Sequence, residues 1–234
     1  TRDADRRFHI GAAVSSTPDG PFKPLPQPLV SNPDVGLIDA TYFQDPISSR
    51  SFILWKEDAN DFDPPRPTGI FIQELEPDGL RVKGEWKCLL VNDQPLEGVL
   101  IEAPTLIYRK GWYYLFFSGN VYSDDRYGVG VARSRDVLGP YEKYAGNPIL
   151  KSNKRFDGPG HQFLFEEGPD QWTIFFHARD RRRTEDSYSR LLMSDPVTWR
   201  EDGWPAINDG TPSEGWNGWE ARTGGKPDPV GNGG

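Results

Sequence analysis

The sequence predicts an all-β fold, on three observations. Short runs of β-branched and aromatic residues recur along the 234 residues, and 25 glycines and 22 prolines supply the turns between them. No apolar period of 3.6 residues persists over the length of a helix, so almost no helix is expected. The strand pattern repeats about every 60 residues, and regular repeats of several short strands are typical of a β-propeller.

The repeat is clearest in three predicted hairpins, each with one titratable residue where its first strand begins. The central hairpin, residues 99–120, carries Glu102 among apolar residues. Asp39 and His161 take the corresponding places in the hairpins before and after it. Because a buried carboxylate is costly to desolvate, these side chains are expected to face a wet cavity or to have dedicated partners.

The outer strands repeat as well, and the two repeats together give the number of blades. Residues 11–16 lead to a Gly-Pro-aromatic turn at 20–22, and residues 130–135 lead to the same turn at 139–141, two units later. The count is three full units plus the closing half of an earlier one. A propeller needs at least about four blades to close. Residues 1–212 are therefore predicted to form a partial propeller, followed by an irregular tail over 213–234.

Composition narrows the classes of partner. The formal net charge of −8 argues against a nucleic-acid partner and against binding to an anionic membrane surface. No apolar run is long enough for a membrane span. Cys88 is the one cysteine, so an intrachain disulfide and a cysteine-based metal site are excluded. A neutral ligand such as a sugar is compatible with this composition.

The three titratable residues form the constellation that could carry chemistry. The innermost strands of a propeller line its central channel, so equivalent positions of successive blades should converge at one mouth. Two converging carboxylates suit the cleavage of a glycosidic bond, because one acid must deliver a proton and a nearby negative charge raises its pKa. The alternative is that each residue only satisfies backbone amides at the start of a strand.

The chain resembles glycoside hydrolase family 43, the five-bladed propellers that include arabinanases, α-L-arabinofuranosidases and β-xylosidases. The resemblance covers about residues 8–212, in the expected order and spacing. It rests on the segments I-D-A-T-Y-F-Q-D-P with L-W-K-E-D-A-N, I-E-A-P-T-L-I-Y with W-Y-Y-L-F-F-S-G-N, G-P-G-H-Q-F-L-F with F-F-H-A, and W-R-E-D-G-W-P-A-I-N. It implies an extracellular enzyme that hydrolyses arabinose- or xylose-containing hemicellulose or oligosaccharides, without ranking the two sugars.

The resemblance also implies roles for single residues. Glu102 would be the general acid, and Asp39 the carboxylate that raises its pKa and orients it. His161 would lie near the propeller axis, where family members often hold a water or a calcium ion; no cofactor is required. Arg190 matches an arginine that reaches a sugar hydroxyl.

Further residues are expected around the pocket. Lys56 and Asn60 fall on a predicted loop beside it. Trp55, Phe117 and Tyr122 are candidates for stacking on a sugar ring, and packing in the core is an equally good explanation for all three.

One part of the family's pattern has no match in this sequence. The family inverts the anomeric carbon and needs a second carboxylate to activate water. In the family that base is an aspartate on the first blade, well upstream of the segment that I-G-A-A-V (residues 10–14) matches. Asp3 and Asp5 lie too close to this segment to match the base. Three hypotheses follow. In the first, a second chain or an N-terminal fragment completes the propeller and supplies the base. In the second, the chain is a non-hydrolytic carbohydrate-binding propeller. In the third, it is a protein-interaction propeller of another family.

Overall fold

The computed structural model describes residues 7–59, 66–182 and 189–214, and these confirm the all-β prediction. The one helical element in these ranges is a 3-10 turn at Pro95–Glu97. No helix in the described ranges is long and apolar enough to cross a membrane. In chain order the strands are β1 (Ala13–Val14), β2 (Lys23–Pro24), β3 (Gly36–Gln44), β4 (Ser51–Asp58), β5 (Gly69–Leu75), β6 (Val82–Val91), β7 (Ile101–Arg109), β8 (Trp112–Gly119), β9 (Gly128–Ser134), β10 (Glu142–Lys143), β11 (Phe156–Gly168), β12 (Gln171–Asp180), β13 (Leu191–Trp199) and β14 (Pro205–Ile207).

The strands form three four-stranded antiparallel sheets and one short two-stranded sheet. Strands β3 to β6 form sheet I, β7 to β10 form sheet II, and β11 to β14 form sheet III, each in chain order across the sheet. The two-stranded sheet pairs β1 with β2 and precedes sheet I in the chain. Three full sheets and a preceding partial one agree with the predicted three and a half blades.

The core lies in layers between the sheets, and strand β8 shows how the sequence builds it. Side chains alternate between the two faces of a strand. Tyr113, Leu115 and Phe117 therefore join the apolar cluster shared with sheet I, whereas Tyr114 and Phe116 join the cluster shared with sheet III. A run of aromatic residues without polar interruption is thus what a strand buried on both faces requires.

Each sheet has a β-bulge at the same place in its first hairpin. The pairing between the first two strands shifts register at a matching point in each sheet: Ile38 to Thr41, Glu102 to Thr105, and Gly160 to Phe163. Sheet III has two further shifts, Asp157 to Gly160 and Glu166 to Gly168. Bulges re-aim side chains locally and often lie beside active sites. The bulges are therefore the structural repeat that brings the candidate residues together.

The bulges also correct the predicted correspondence between the three blades. The bulged residues with positive φ are Asp39 (57°), Ala103 (53°) and His161 (51°). Asp39 and His161 are equivalent, as predicted, but Glu102 lies one residue before the equivalent position. The repeat of about 60 residues is too imprecise to distinguish neighbouring positions. The bulge, which the strand pattern does not show, decides which residue takes the positive φ.

Neighbouring bulges are joined by a repeated hydrogen bond. The Thr41 hydroxyl donates to the Pro104 carbonyl at 2.9 Å, and the Thr105 hydroxyl donates to the Gln162 carbonyl at 2.9 Å. Both threonines directly follow the bulge of their own sheet. The inner ends of sheets I, II and III are thus held in a fixed relation at the level of the candidate site.

One face of sheet III is not covered by another sheet of the described ranges. Phe163, Phe165 and Leu192 on this face are 56%, 52% and 80% exposed. No sheet from the described ranges covers them, so the ring of blades is not closed there. The predicted tail falls mainly outside the described ranges, and the predicted boundary at residue 212 stays a prediction.

Candidate active site

The structure brings the three predicted titratable residues to one place. One oxygen or nitrogen atom from each of Asp39, Glu102 and His161 lies within 4.8 Å of the others. Asp39 and Glu102 are half-buried, and His161 is exposed. The prediction that three successive hairpins aim these side chains at a common point is confirmed.

Both carboxylate oxygens of Glu102 accept a hydrogen bond. The Tyr127 hydroxyl donates to Oε1 at 2.5 Å, and the Lys56 ammonium donates to Oε2 at 3.3 Å. Lys56 was predicted on a loop, but it lies on strand β4 with no exposed side-chain surface. Its Nζ is also 3.9 Å from Asp58. A buried lysine needs such partners, because an unpaired charge is costly in the interior.

Asp39 fixes the backbone directly after Glu102. Its Oδ2 accepts the N–H of Ala103 at 3.0 Å. The Ala103 carbonyl accepts the side-chain N–H of Gln162 at 2.7 Å, so this bulged residue is held from both sides. Asp39 therefore accepts a hydrogen bond from a backbone amide, as expected if it only satisfied the backbone at the start of a strand. That amide, however, belongs to Ala103, which directly follows the proposed acid Glu102.

His161 is held through its backbone rather than through its ring. Its N–H donates to the Ser118 hydroxyl at 2.8 Å, and that hydroxyl donates to Gln162 Oε1 at 2.8 Å. The imidazole of His161 lies 6.3 Å from that of His177, with 28° between the ring planes. The ring of His161 thus lies at the site, and no hydrogen bond from the described residues fixes the ring there.

Sequence reasoning missed two residues of the site, Tyr127 and His177. Tyr127 is fully buried, and its ring is parallel to the His177 imidazole at 5.7 Å and 7°. Burial, followed by the charge of Glu102, raises the pKa of Tyr127 well above its usual value, so the hydroxyl keeps its proton. No sequence signal pointed to Tyr127: the need for glycine at Gly160 becomes visible only in the structure, where a Cβ would lie 2.1 Å from the Tyr127 ring.

His177 is neutral near neutral pH. Burial, followed by the charges of Arg190, His161 and Arg179, lowers the pKa of His177 to about 4. Neither of its buried ring nitrogens has a hydrogen-bond partner in the described part of the chain. A neutral imidazole can pack flat against Tyr127 without burying an unpaired charge.

Two of the predicted stacking residues belong to the core. Trp55 is 3% exposed and stacks on Phe71, with ring centres 6.0 Å apart. Phe117 is 1% exposed and lies between sheets I and II. The stacking prediction is wrong for both, because strands β4 and β8 are buried on their two faces and leave no ring open to a ligand.

Tyr122 and Arg190 remain available at the surface. Tyr122 is 46% exposed, and the Arg190 guanidinium carbon lies 5.0 Å from the centre of its ring. The structure therefore brings together a predicted stacking residue and the predicted sugar-binding arginine. Asn60, the remaining candidate, lies outside the described residues.

The carboxylates of the site fit a directly bound calcium ion poorly. Calcium prefers six to eight oxygen ligands. Both oxygens of Glu102 and one of Asp39 already accept hydrogen bonds, and the Lys56 ammonium 3.3 Å from Glu102 would repel a divalent cation. We therefore assign no direct metal ligand among the two acids.

Comparison with known protein families gives a match over most of the chain. The family model described as glycosyl hydrolases family 43 matches residues 1–205. Among solved structures, a thermostable family-43 glycoside hydrolase superposes with a TM-score of 0.80 at 29% identity, covering 92% of this chain and 71% of that one. An endo-1,4-β-xylanase from Bacteroides thetaiotaomicron gives 0.72 at 27% identity, covering 85% and 67%. The propeller architecture is therefore shared with these proteins.

Characterised relatives match in sequence over part of their length. The extracellular exo-α-(1→5)-L-arabinofuranosidase ArbA of Cellvibrio japonicus is 29% identical over 53% of this chain and 38% of its own. The extracellular endo-α-(1→5)-L-arabinanase 1 of Bacillus subtilis is 27% identical over 59% and 43%. Xylosidase/arabinosidase 43B of Humicola insolens is 26% identical over 90% and 41%. The chain spans about two fifths of the length of these relatives. With a match over residues 1–205 and the same propeller blades, the chain belongs to glycosyl hydrolase family 43.

Proposed function

We propose that this chain carries the acid side of a glycosidase active site, which cleaves arabinose- or xylose-containing hemicellulose or oligosaccharides with inversion. The observation that carries the proposal is the convergence of Asp39, Glu102 and His161, with Glu102 held at both oxygens. Family membership supports hydrolysis of a glycosidic bond as the reaction.

Glu102 acts as the general acid in this proposal. It passes a proton to the glycosidic oxygen as the bond from that oxygen to the sugar carbon breaks, and it is left as a carboxylate. Asp39 holds the Ala103 amide and so fixes the direction from which Glu102 approaches.

The second carboxylate of an inverting reaction must come from elsewhere. Inversion places the base about 6.5–9.5 Å from the acid, with room for a water molecule between them. We propose that residues beyond the described ranges supply this base, through a second chain or an N-terminal segment that completes the propeller. The exposed apolar face formed by Phe163, Phe165 and Leu192 supports a further sheet packing there.

The substrate class rests on the relatives and on two surface residues. Relatives named for arabinan, arabinofuranoside and xyloside substrates support a pentose glycoside. Tyr122 offers a ring face and Arg190 offers hydrogen-bond donors to sugar hydroxyls. Two relatives are named extracellular, which supports secretion. A calcium ion at the axis would reach His161 through water, and no step depends on it.

The test compares sugar release by the wild type and by Glu102→Gln from arabino- and xylo-oligosaccharides. The glutamine keeps the size of the side chain but has no acidic proton to give, and its amide nitrogen cannot accept the hydrogen bond that one of the Glu102 oxygens accepts. We expect release to fall at least about 100-fold, the usual value of general acid help. Glu142→Gln, an exposed glutamate on strand β10, is the matched control and should release sugar as the wild type does. Equal release by Glu102→Gln and the wild type would overturn the proposal.

A second function, carbohydrate binding without hydrolysis, is favoured by one observation. Lys56 donates to Oε2 of Glu102 from a fully buried position, so one oxygen of the proposed acid is already engaged as a hydrogen-bond acceptor. Calorimetry with the same oligosaccharides separates the two functions. Binding without released sugar would support the binding module, whereas turnover that Glu102→Gln abolishes would reject it.

A further inference from the structure

We propose that Tyr127 is a positioning residue for the acid: its hydroxyl holds Oε1 of Glu102 and stabilises the carboxylate that forms when the proton leaves. This inference deepens the proposed function and rests on it for the identity of Glu102 as the acid.

The hydrogen bond of Tyr127 has a defined direction. The hydroxyl lies 2.5 Å from Oε1, and Lys56 Nζ lies 3.3 Å from Oε2. A phenol can donate or accept, whereas an ammonium can only donate. With the phenol and the ammonium both donating, each oxygen of Glu102 acts as an acceptor, and Tyr127 is the contact that holds Oε1.

The same bond becomes stronger during the reaction. As Glu102 passes its proton to the leaving oxygen, negative charge grows on the carboxylate, and hydrogen bonds to a charged acceptor are about twice as strong as neutral ones. Tyr127 keeps its own proton throughout, because burial and the neighbouring Glu102 raise the pKa of the phenol well above its usual value. The contact therefore favours the transition state over the ground state.

The fold holds the phenol in place before substrate arrives. The Tyr127 ring is fully buried, and it packs parallel to His177 at 5.7 Å. On another side it lies against the backbone at Gly160, where any side chain would strike it. The hydroxyl thus meets Oε1 with little conformational freedom to lose, which is the condition for a preorganised donor.

The leaving group of the substrate separates a catalytic effect from a structural one. A 4-nitrophenyl glycoside has a good leaving group and needs little acid assistance, whereas an oligosaccharide needs the full proton transfer. In Tyr127→Phe we expect kcat on the oligosaccharide to fall about tenfold to a hundredfold, and kcat on the nitrophenyl glycoside to fall much less. Tyr114→Phe is the matched control: this tyrosine is equally buried, and its hydroxyl donates to Gly203 O at 2.6 Å, outside the site.

A spectroscopic measurement tests the contact without relying on turnover. In proton NMR of the full chain, a phenol proton shared with a carboxylate should resonate far downfield. We expect this signal to disappear in Tyr127→Phe and in Glu102→Ala and to persist in Tyr114→Phe. Its absence from the wild type would overturn the proposal, and so would an equal loss of kcat on both substrates in Tyr127→Phe. If the wild type, assayed together with the chain or segment that supplies the base, releases no sugar from any substrate, the proposed function fails, while the NMR signal still decides whether Tyr127 holds Glu102.

Discussion

At the scale of single residues, the site depends on contacts between blades that no local pattern shows. Asp39 and His161 could be predicted, because each begins a hairpin in a visible repeat. Tyr127 could not, because it reaches Glu102 from the end of a loop and packs on Gly160 and His177 of the next sheet. Phe117 was ambiguous for a related reason: an aromatic residue on an inner strand has the same sequence pattern whether it faces the core or a ligand.

The Gly160→Ala substitution tests the packing of Tyr127. A methyl group at this position would lie 2.1 Å from the tyrosine ring, so the ring or the backbone must move. We expect the free energy of unfolding to fall by about 1–3 kcal/mol, as for other overpacked positions, with loss of the Tyr127–Glu102 hydrogen bond. Urea denaturation measures the first effect and NMR the second.

Gly168→Ala, on the same strand, is the control for Gly160→Ala. Its new methyl group would meet only the Gln171 side chain, at 3.9 Å. Unfolding free energies that fall equally in the two variants would contradict the assigned role of Gly160.

The pH dependence of stability tests the environment of His177. Its pKa is lowered from 6.5 to about 4 in the folded protein, so the unfolded chain binds the proton more readily. Stability should therefore fall as the pH is lowered from about 6.5 to about 4, by roughly 1–3 kcal/mol from this residue. Asp170 and Asp180, whose pKa values are lowered from 3.8 to about 2 by partners that include Arg109 and Arg182, lose their contribution at lower pH.

His177→Phe keeps a flat ring beside Tyr127 and removes the titration. The slope of stability against pH between about 4 and 6.5 should then be smaller than in the wild type. Identical slopes from denaturation at several pH values would show that His177 titrates normally in the folded protein.

At the scale of elements, the strand pattern and the repeat were predictable from alternation and turn residues, whereas the bulges were not. A bulge inserts one residue without changing the composition of a strand. For this reason the sequence did not show that Ala103, rather than Glu102, occupies the position equivalent to Asp39 and His161. The buried position of Lys56 on strand β4 was also missed, since lysine is normally expected at the surface.

The contact between strand β10 and the turn after sheet I contains a buried ion pair. The side chain of Lys143 is 7% exposed and that of Glu97 is fully buried, with 2.6 Å between Nζ and Oε1. Nζ also donates to Val91 O and to Asp93, each at 2.7 Å. Lys143→Met leaves a buried carboxylate without its cation, so we expect unfolding free energy to fall by about 3–5 kcal/mol.

Lys110→Met is the surface counterpart of Lys143→Met. Lys110 pairs with Asp170 at 2.8 Å, but its side chain is 67% exposed, and such pairs contribute little. Its substitution should change stability by less than about 1 kcal/mol. A similar loss in both variants, measured by urea denaturation, would show that the buried pair has no special role.

At the scale of the whole molecule, three and a half blades were predictable because each blade repeats both its inner hairpin and its outer turn. What packs on the apolar face of sheet III could not be predicted from the repeat, since that depends on the partner rather than on the blades themselves. We expect the chain to associate through the apolar face of sheet III. The double substitution Phe163→Ser with Leu192→Ser should shift light-scattering mass toward the monomer.

Ile47→Ser controls for a general change in surface polarity, because Ile47 is 66% exposed in a turn away from that face. It should leave the association unchanged. A wild type that is monomeric at all concentrations would contradict association through sheet III.

The most direct test of the central claim is the rate of sugar release from arabino- and xylo-oligosaccharides by the wild type and by Glu102→Gln, measured side by side. The account predicts release by the wild type in the assembly that includes the base, and a loss of at least about 100-fold in the variant, because Glu102 is the proton donor that it assigns to the leaving oxygen. Release that is unchanged by the substitution would contradict it.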